Sequence, residues 1–423
     1  MAGPIPTRLL PDTAAISADG RLRIGGCDLV DLAGEYGTPL FVYDEAHLRA
    51  RCREAVTAFG DGVAYASKAF LCDAMARLAH EEGMHLDVAT GGELFVALRA
   101  GVPADRLVMH GNNKSDAELA MALDEGVGRI VVDSFDELDR LDAIATATGS
   151  RPRVLLRITP GVEAHTHEFI ATGQDDSKFG FTASSGLATA AVERALASDS
   201  VELVGLHAHI GSQVFEVGAF ARAIEVLIDF AAPFGLAELS VGGGLGVPYV
   251  EGESAPSITE WASGIRAVCE AAGVTASVSA EPGRAIVAAA AITLYTVGTI
   301  KDLPGIRTYV AVDGGMSDNP RPVLYGSGYE TFLPRATAAE RSRPVSVVGK
   351  HCESGDLLVR EGWVPDDLVV GDVLATPVTG AYGHAMGSNY NHVLRPAVVF
   401  VADGDARTVV RRETFEDLVR REV

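Results

Sequence analysis

The stretch Val63–Ala100 reads VAYASKAFLCDAMARLAHEEGMHLDVATGGELFVALRA, and its alternation decides the fold. A short strand-like run, Val63–Ala66, is followed by an amphipathic helical stretch, Cys72–Glu82. A second run, His85–Val88, then leads into a second helical stretch, Gly91–Ala100. Brief apolar runs separated by segments of helical periodicity read as βα units, which build a parallel sheet through right-handed crossovers. Working outward, further strands are predicted at Leu107–Met109, Ile130–Val132, Val154–Ile158, Val204–His209, Glu238–Val241 and Ser277–Ala280. Helices are predicted between them at Ser115–Glu125, Ser134–Ala147, Ser184–Ala197, Val217–Ala232 and Ser257–Ala272. Ser115, Asp116, Ser134 and Ser257 stand near helix starts, where side-chain oxygens cap orphan N–H groups. Eight such units in about 250 residues have the size of a (β/α)8 TIM barrel. The rival, a doubly wound open sheet, usually has fewer strands and places its Gly-rich turn after the first.

The pattern changes after about Ile286. Ala291–Thr299, Thr308–Asp313, Pro344–Lys350, Asp372–Thr376 and Val393–Val401 alternate or are short and apolar, and Gly and Pro separate them. That predicts an all-β domain closed by a short helix at Thr414–Arg421. Leu22–Ile24 and Leu40–Tyr43 near the N-terminus are also strand-like and are expected to join it. The fold class is therefore α/β, with a barrel over residues 46–285 and a β-barrel or sandwich domain from residues 1–45 and 286–423.

Composition excludes several functions. Over 423 residues, 57 Asp+Glu against 35 Lys+Arg leave a formal net charge of −22. Such a surface repels nucleic-acid phosphates and anionic membranes, so neither is an expected partner. The chain is nevertheless 48% hydrophobic, too apolar for a disordered acidic tail. Its five cysteines are scattered, with no C-x-x-C pair, which argues against a disulfide framework or a zinc site and fits a cytoplasmic protein. The start Met1-Ala2-Gly3-Pro4 has no basic segment leading an apolar core, and no apolar run approaches the length of a bilayer span.

The unusual residues fall at the predicted C-terminal ends of the strands, where barrel active sites lie. Lys68 follows the first strand and Asp87 ends the second, while His209-Ile210-Gly211-Ser212 ends the sixth. Gly242-Gly243-Gly244-Leu245-Gly246 follows the seventh and Glu281-Pro282-Gly283-Arg284 the eighth. Each has a bland alternative: a solvated lysine, a core histidine, a flexible turn, a turn with a surface ion pair. Convergence on one rim favours chemistry. The apolar flanks of Lys68 suit Schiff-base formation, and a glycine turn there can bind phosphate through bare N–H groups. An acidic residue can pair with a pyridine nitrogen, and an imidazole can lie against a flat ring. Together these describe pyridoxal 5′-phosphate. No Walker-type sequence occurs. His165 and His167 with Glu163 and Glu168 have the residue types of metal ligands, but a loop role is favoured and no metal is expected.

With these motifs in order, the chain resembles the fold-type III pyridoxal-phosphate decarboxylases, and within them the diaminopimelate decarboxylase family, over nearly its whole length. Further matching segments are Tyr36–Leu40, Ala66–Ala69, His110–Ser115, Arg321–Tyr325, Cys352–Asp356 and Gly380–Tyr382. The resemblance implies that Lys68 forms the Schiff base, His209 stacks on the cofactor ring and Glu281 pairs with its nitrogen. Ser212, Gly243, Gly244, Gly283 and Arg284 would surround the phosphate, with Asp87, Pro282 and Tyr382 also at the cofactor. Arg284, Arg321, Tyr325, Glu353 and Tyr382 match substrate-binding positions, and Cys352 matches the proton donor, which makes the catalytic set Lys68, Cys352, His209 and Glu281. Cys352 and Glu353 come from the partner subunit in this family, which implies a homodimer with shared active sites. The implied reaction turns meso-2,6-diaminopimelate into L-lysine and CO2, the last step of lysine biosynthesis.

Chemistry bears on that substrate. Its distal end carries a carboxylate and an ammonium; a guanidinium at Arg321 suits the first and Glu353 the second. The competing reading of Arg321 is a surface arginine in the loop Asn319-Pro320-Arg321-Pro322. Other readings of the chain stay open: a relative acting on another amino acid or carboxylated polyamine, a racemase of the same fold, or a non-catalytic cofactor-binding protein. One departure from the family is Gly383-His384-Ala385 after Tyr382, with His384 either exposed or a new polar contact.

Overall fold

The structure, a computed structural model, describes residues 2–161 and 176–423. It divides into two compact units, one of residues 51–247 and 255–285, the other of residues 1–50, 248–254 and 286–423. The sequence reading drew these limits at 45/46 and 285/286 and did not separate Pro248–Ser254, which groups with the second unit and carries Tyr249.

Eight parallel strands form the first unit: β1 (Ala64–Ala66), β2 (His85–Val88), β3 (Leu107–Met109), β4 (Arg129–Val132), β5 (Arg153–Thr159), β6 (Glu202–His207), β7 (Glu238–Ser240) and β8 (Ser277–Ser279). They neighbour one another in chain order, and a short strand, Phe181–Thr182, adds to β5. The cylinder closes where Ala64 N–H donates to Ala280 O at 2.9 Å and Ala66 N–H to Pro282 O at 3.2 Å. Buried Val108, Val131, Leu155 and Val204 form a cluster across β3 to β6. Helices at Asp73–Glu81, Gly91–Arg99, Asp116–Glu125, Phe135–Thr148, Leu187–Leu196, Val217–Ala231 and Ile258–Ala271 alternate with the strands. Ser115 and Ser257 each complete a reciprocal capping box with Glu118 and Glu260, which explains why those helices start there. The (β/α)8 expectation is met.

The second unit is built on an eight-stranded sheet. Leu40–Asp44 lies inside it, antiparallel to Ala291–Leu303 and parallel to Ala397–Ala402, and is buried throughout. The N-terminal segment thus joins the C-terminal β domain, as expected. Strands Leu357–Val364 and Asp405–Val410 and the helices Leu29–Tyr36, Glu45–Phe59 and Arg321–Tyr325 escaped the sequence reading. The first of those helices is capped by Asp28, which accepts from Val30 N–H at 2.8 Å and Asp31 N–H at 3.1 Å. Among the described residues no helix is long and apolar enough to cross a membrane.

Candidate active site

The rim of the first unit carries ten of the expected site residues. Lys68 lies in a single helical turn, Ser67–Ala69, directly after β1. Its flanks Tyr65, Ala66, Ala69 and Phe70 are buried, but Lys68 itself is exposed. The flanking rings pack into the core, with Tyr65 Oη donating to Phe70 O at 2.6 Å, and the turn lifts Lys68 out of it. Asp87 ends β2, where burial and then the neighbouring Glu281 push its carboxyl well above the ordinary range.

The loops after β6, β7 and β8 interlock. Gly243 N–H donates to His209 Nδ1 at 3.1 Å, which leaves the ring proton on Nε2. Burial, then the charge of Lys68, keep that imidazole well below its usual pKa and so neutral. A Cβ on Gly243 would lie 2.2 Å from Glu281 O, and one on Gly244, whose φ is +116°, would lie 2.2 Å from Gly211 O. The triple glycine is thus a crossing of backbones in contact, and the flexible-turn reading of it fails. Gly283 presses against β1, where a Cβ would meet Ala66 at 2.9 Å. Arg284, buried, donates from Nη2 to Ser212 Oγ at 2.7 Å.

Glu281 sits among groups that the sequence reading gave no role. His207 Nε2 is 3.0 Å from Glu281 Oε2, and Ser240 Oγ donates to Oε1 at 2.7 Å. His110 Nε2 lies 3.7 Å from Oε1 and 3.5 Å from Asp87 Oδ1. In the loop that follows His110, the buried ammonium of Lys114 donates to Gly111 O, Val131 O and Glu137 Oε1 at 2.8, 2.7 and 2.6 Å. The one available signal was period two, which sets His207 on the same face as His209. His110, His207 and Glu281 gather three potential ligand atoms within 4.8 Å. The 3.0 Å separation is a hydrogen bond, however, so the His207 nitrogen is already engaged with the carboxylate. His165, His167, Glu163 and Glu168 lie outside the described residues.

In the second unit Arg321 is buried, which removes the surface-arginine alternative. Its guanidinium carbon lies 3.9 Å from the Tyr249 ring centroid and 5.3 Å from that of Tyr329, and Nη1 donates to Tyr329 Oη. Among the described residues no carboxylate pairs with it, and its buried Nε has no hydrogen-bond partner. Tyr325 Oη is 4.0 Å from Met386 Sδ. Tyr382 holds a left-handed φ of +59°, a strained conformation for an aromatic residue. Cys352 and Glu353 are exposed on a loop whose base is tied by buried Asp356. Asp356 accepts from Met316 N–H at 2.7 Å, His351 N–H at 2.9 Å and the His351 ring at 2.8 Å. His384 is partly buried, edge-on to Phe41 at 5.8 Å.

Pyridoxal 5′-phosphate fits this rim. Asp87 Oδ1 and His110 Nε2 are buried without a hydrogen-bond partner among the described residues, the glycine loops admit no Cβ, and a lysine amine is presented beside them. A parallel barrel with that rim, together with a separate β-sheet unit, defines a fold-type III pyridoxal enzyme. The pyridoxal binding domain of the pyridoxal-dependent decarboxylases matches residues 45–288. The diaminopimelate decarboxylase of Mycobacterium tuberculosis is 51% identical, covering 96% of this chain and 95% of that protein. That of Bacillus subtilis is 46% identical, covering 97% of each. The structure of diaminopimelate decarboxylase from M. jannaschii in co-complex with L-lysine superposes with a TM-score of 0.90 at 33% identity, covering 97% of this chain and 98% of that one. The chain belongs to the diaminopimelate decarboxylase family.

Proposed function

We infer that the chain is a pyridoxal-phosphate-dependent carboxy-lyase that converts meso-2,6-diaminopimelate to L-lysine and CO2, the last step of lysine biosynthesis. The observation that carries the substrate is Arg321, a buried cation stacked on Tyr249 with no described carboxylate beside it. A buried guanidinium is costly without an anion, and a substrate with a distal carboxylate supplies one. Ornithine, which lacks that group, would be repelled.

When bound, the cofactor supplies an electron sink for the pair released as the Cα–carboxylate bond breaks. Lys68, Ser212, Gly243, Gly244, Gly283 and Arg284 would hold it, with Asp87, Pro282 and Tyr382 beside it. Glu281 would accept a hydrogen bond from the pyridine nitrogen, and His209 would lie against the ring. Arg321 with Arg284, Tyr325 and Tyr382 orients the substrate, and Glu353 accepts from its distal ammonium; this is catalysis by alignment of the bond to be broken. Cys352 donates the proton that replaces CO2 at Cα. Its exposure, with that of Glu353, suits delivery from a second copy of the chain, so the working form is a homodimer with shared sites. Five cysteines without a pair suit the cytoplasm.

The test is CO2 release from purified protein offered diaminopimelate, ornithine, arginine and lysine separately. Release from diaminopimelate alone is expected. Release from another of these and not from diaminopimelate overturns the substrate, and full activity in Lys68→Ala overturns the cofactor chemistry.

A further inference from the structure

We propose that His207 and Ser240 are positioning residues that fix the Glu281 carboxylate in the orientation and ionisation state needed to hold a proton on the cofactor's pyridine nitrogen. This rests on the reading of the rim as a pyridoxal site with Glu281 under that nitrogen. The two donors engage different oxygens: His207 Nε2 reaches Oε2 at 3.0 Å and Ser240 Oγ reaches Oε1 at 2.7 Å. A carboxylate gripped at both oxygens cannot rotate about its last bond, so its remaining lone pairs keep one direction. Both donors are buried at 1% exposure, so solvent does not compete for either bond.

The surroundings set which group carries the charge. Burial drives the imidazoles of His207 and His110 below their usual pKa, that of His110 to about 4, so both are neutral near pH 7. His207 therefore acts as a hydrogen-bond donor. Burial works to raise the Glu281 carboxyl as well, and the hydrogen bonds it accepts from His207 and Ser240 work to lower it. Asp87, equally buried and with no hydrogen-bond partner for Oδ1 among the described residues, is pushed the other way. Two donors thus favour the charged form of Glu281, whereas burial disfavours that of Asp87. Ser240 also accepts from Gly242 N–H at 3.2 Å, and Glu281 N–H donates to Gly242 O at 2.8 Å. The same serine therefore ties the carboxylate to the first glycine of the loop read as the phosphate cradle.

The experiment uses the full-length protein reconstituted with 15N-labelled pyridoxal 5′-phosphate. It reads the pyridine 15N chemical shift and the cofactor dissociation constant of the apoprotein in His207→Leu, His207→Gln, Ser240→Ala, Glu281→Gln and the His207→Leu/Glu281→Gln double variant. His207→Leu should move the nitrogen signal away from its protonated position and weaken cofactor binding at least tenfold. His207→Gln, whose amide can still donate, should recover most of both. Ser240→Ala, a smaller change that also covers a misfolded leucine variant, should move both readouts in the same direction. The double variant should be no worse than Glu281→Gln alone. If Glu281→Gln loses the protonated signal while His207→Leu and Ser240→Ala keep it, the positioning role is overturned and the placement of Glu281 stands. A protonated signal retained in Glu281→Gln overturns the placement itself, and the proposal with it.

Discussion

Arg321 lies with its guanidinium carbon 3.9 Å from the centroid of the Tyr249 ring, a contact between a residue of a short helix and one from Pro248–Ser254, a loop far away in sequence. Tyr329, edge-on to Tyr249, lies 5.3 Å from the same carbon and accepts from Nη1. The two rings stabilise and orient a cation that no described carboxylate neutralises.

Removing the cation should cost the affinity of a charge-assisted clamp, about 1.5–3 kcal/mol. Arg321→Ala is therefore expected to raise KM for diaminopimelate roughly 10- to 100-fold. Steady-state kinetics check this, and an unchanged KM removes Arg321 from the substrate. Lysine at this position should rescue poorly, because an ammonium lacks the planar fork that stacks on Tyr249.

Tyr249→Leu keeps the bulk of the position but loses the ring face. A cation–π contact of about 0.5–2 kcal/mol predicts a rise in KM of roughly 3- to 30-fold with the folded protein intact by circular dichroism. The change should be small in an Arg321→Ala background, since the ring then has nothing to orient.

Gly243→Ala places a methyl group 2.2 Å from Glu281 O, a distance no relaxation of side chains relieves. Overpacking of this kind costs about 1–3 kcal/mol, so cofactor affinity should fall roughly tenfold or more. Equilibrium titration of apoprotein with pyridoxal 5′-phosphate measures it. Gly128→Ala, with a clash of 2.1 Å against Asp105 O in the barrel unit, should instead lower the melting temperature with less effect on cofactor affinity.

Burial, then the charge of Arg395, depress His384 from 6.5 to about 3. Its folded pKa lies below its unfolded one, so the stability from keeping it neutral is present above pH 6.5 and is lost as pH falls toward 3. At pH 5 the loss is about 2 kcal/mol, taken as 1.36 kcal/mol per unit below 6.5. His384→Phe, which keeps the edge contact with Phe41, should lose correspondingly less stability between pH 7 and pH 5 in urea unfolding. Equal losses in both proteins would exclude this role.

Mixing separately inactive Lys68→Ala and Cys352→Ala proteins tests the shared site. Subunit exchange should restore part of the activity, because hybrids would contain one site with both residues intact. Restoration by neither mixing nor co-expression would argue that each site is built from one chain.

The barrel was legible because each βα unit is local: periodicity marks the helix and capping serines such as Ser115 and Ser257 mark its start. The rim residues were legible for a related reason, since strand ends fix them in the chain. The short helix Arg321–Tyr325 was not, as five residues with Pro320 before them and Pro322 among them carry no helical period. Nor were the partners of Glu281 and Arg321. His207, Ser240, Tyr249 and Tyr329 look like ordinary core or loop residues until the chain brings them together.

Sequence alone determined the order of the elements, the place of Leu40–Asp44 with the C-terminal strands and the set of rim residues, because these follow from hydrophobic period and from groups whose chemistry is unusual in any setting. Tertiary structure alone decided that Lys68 stands out of the apolar core, that the triple glycine is a crossing rather than a hinge, and that Arg321 is buried against two neighbouring rings. It also decided that Glu281 is held at both oxygens by His207 and Ser240. Burial, close approach and ionisation depend on residues far apart in the chain, and no local pattern encodes a distance between them.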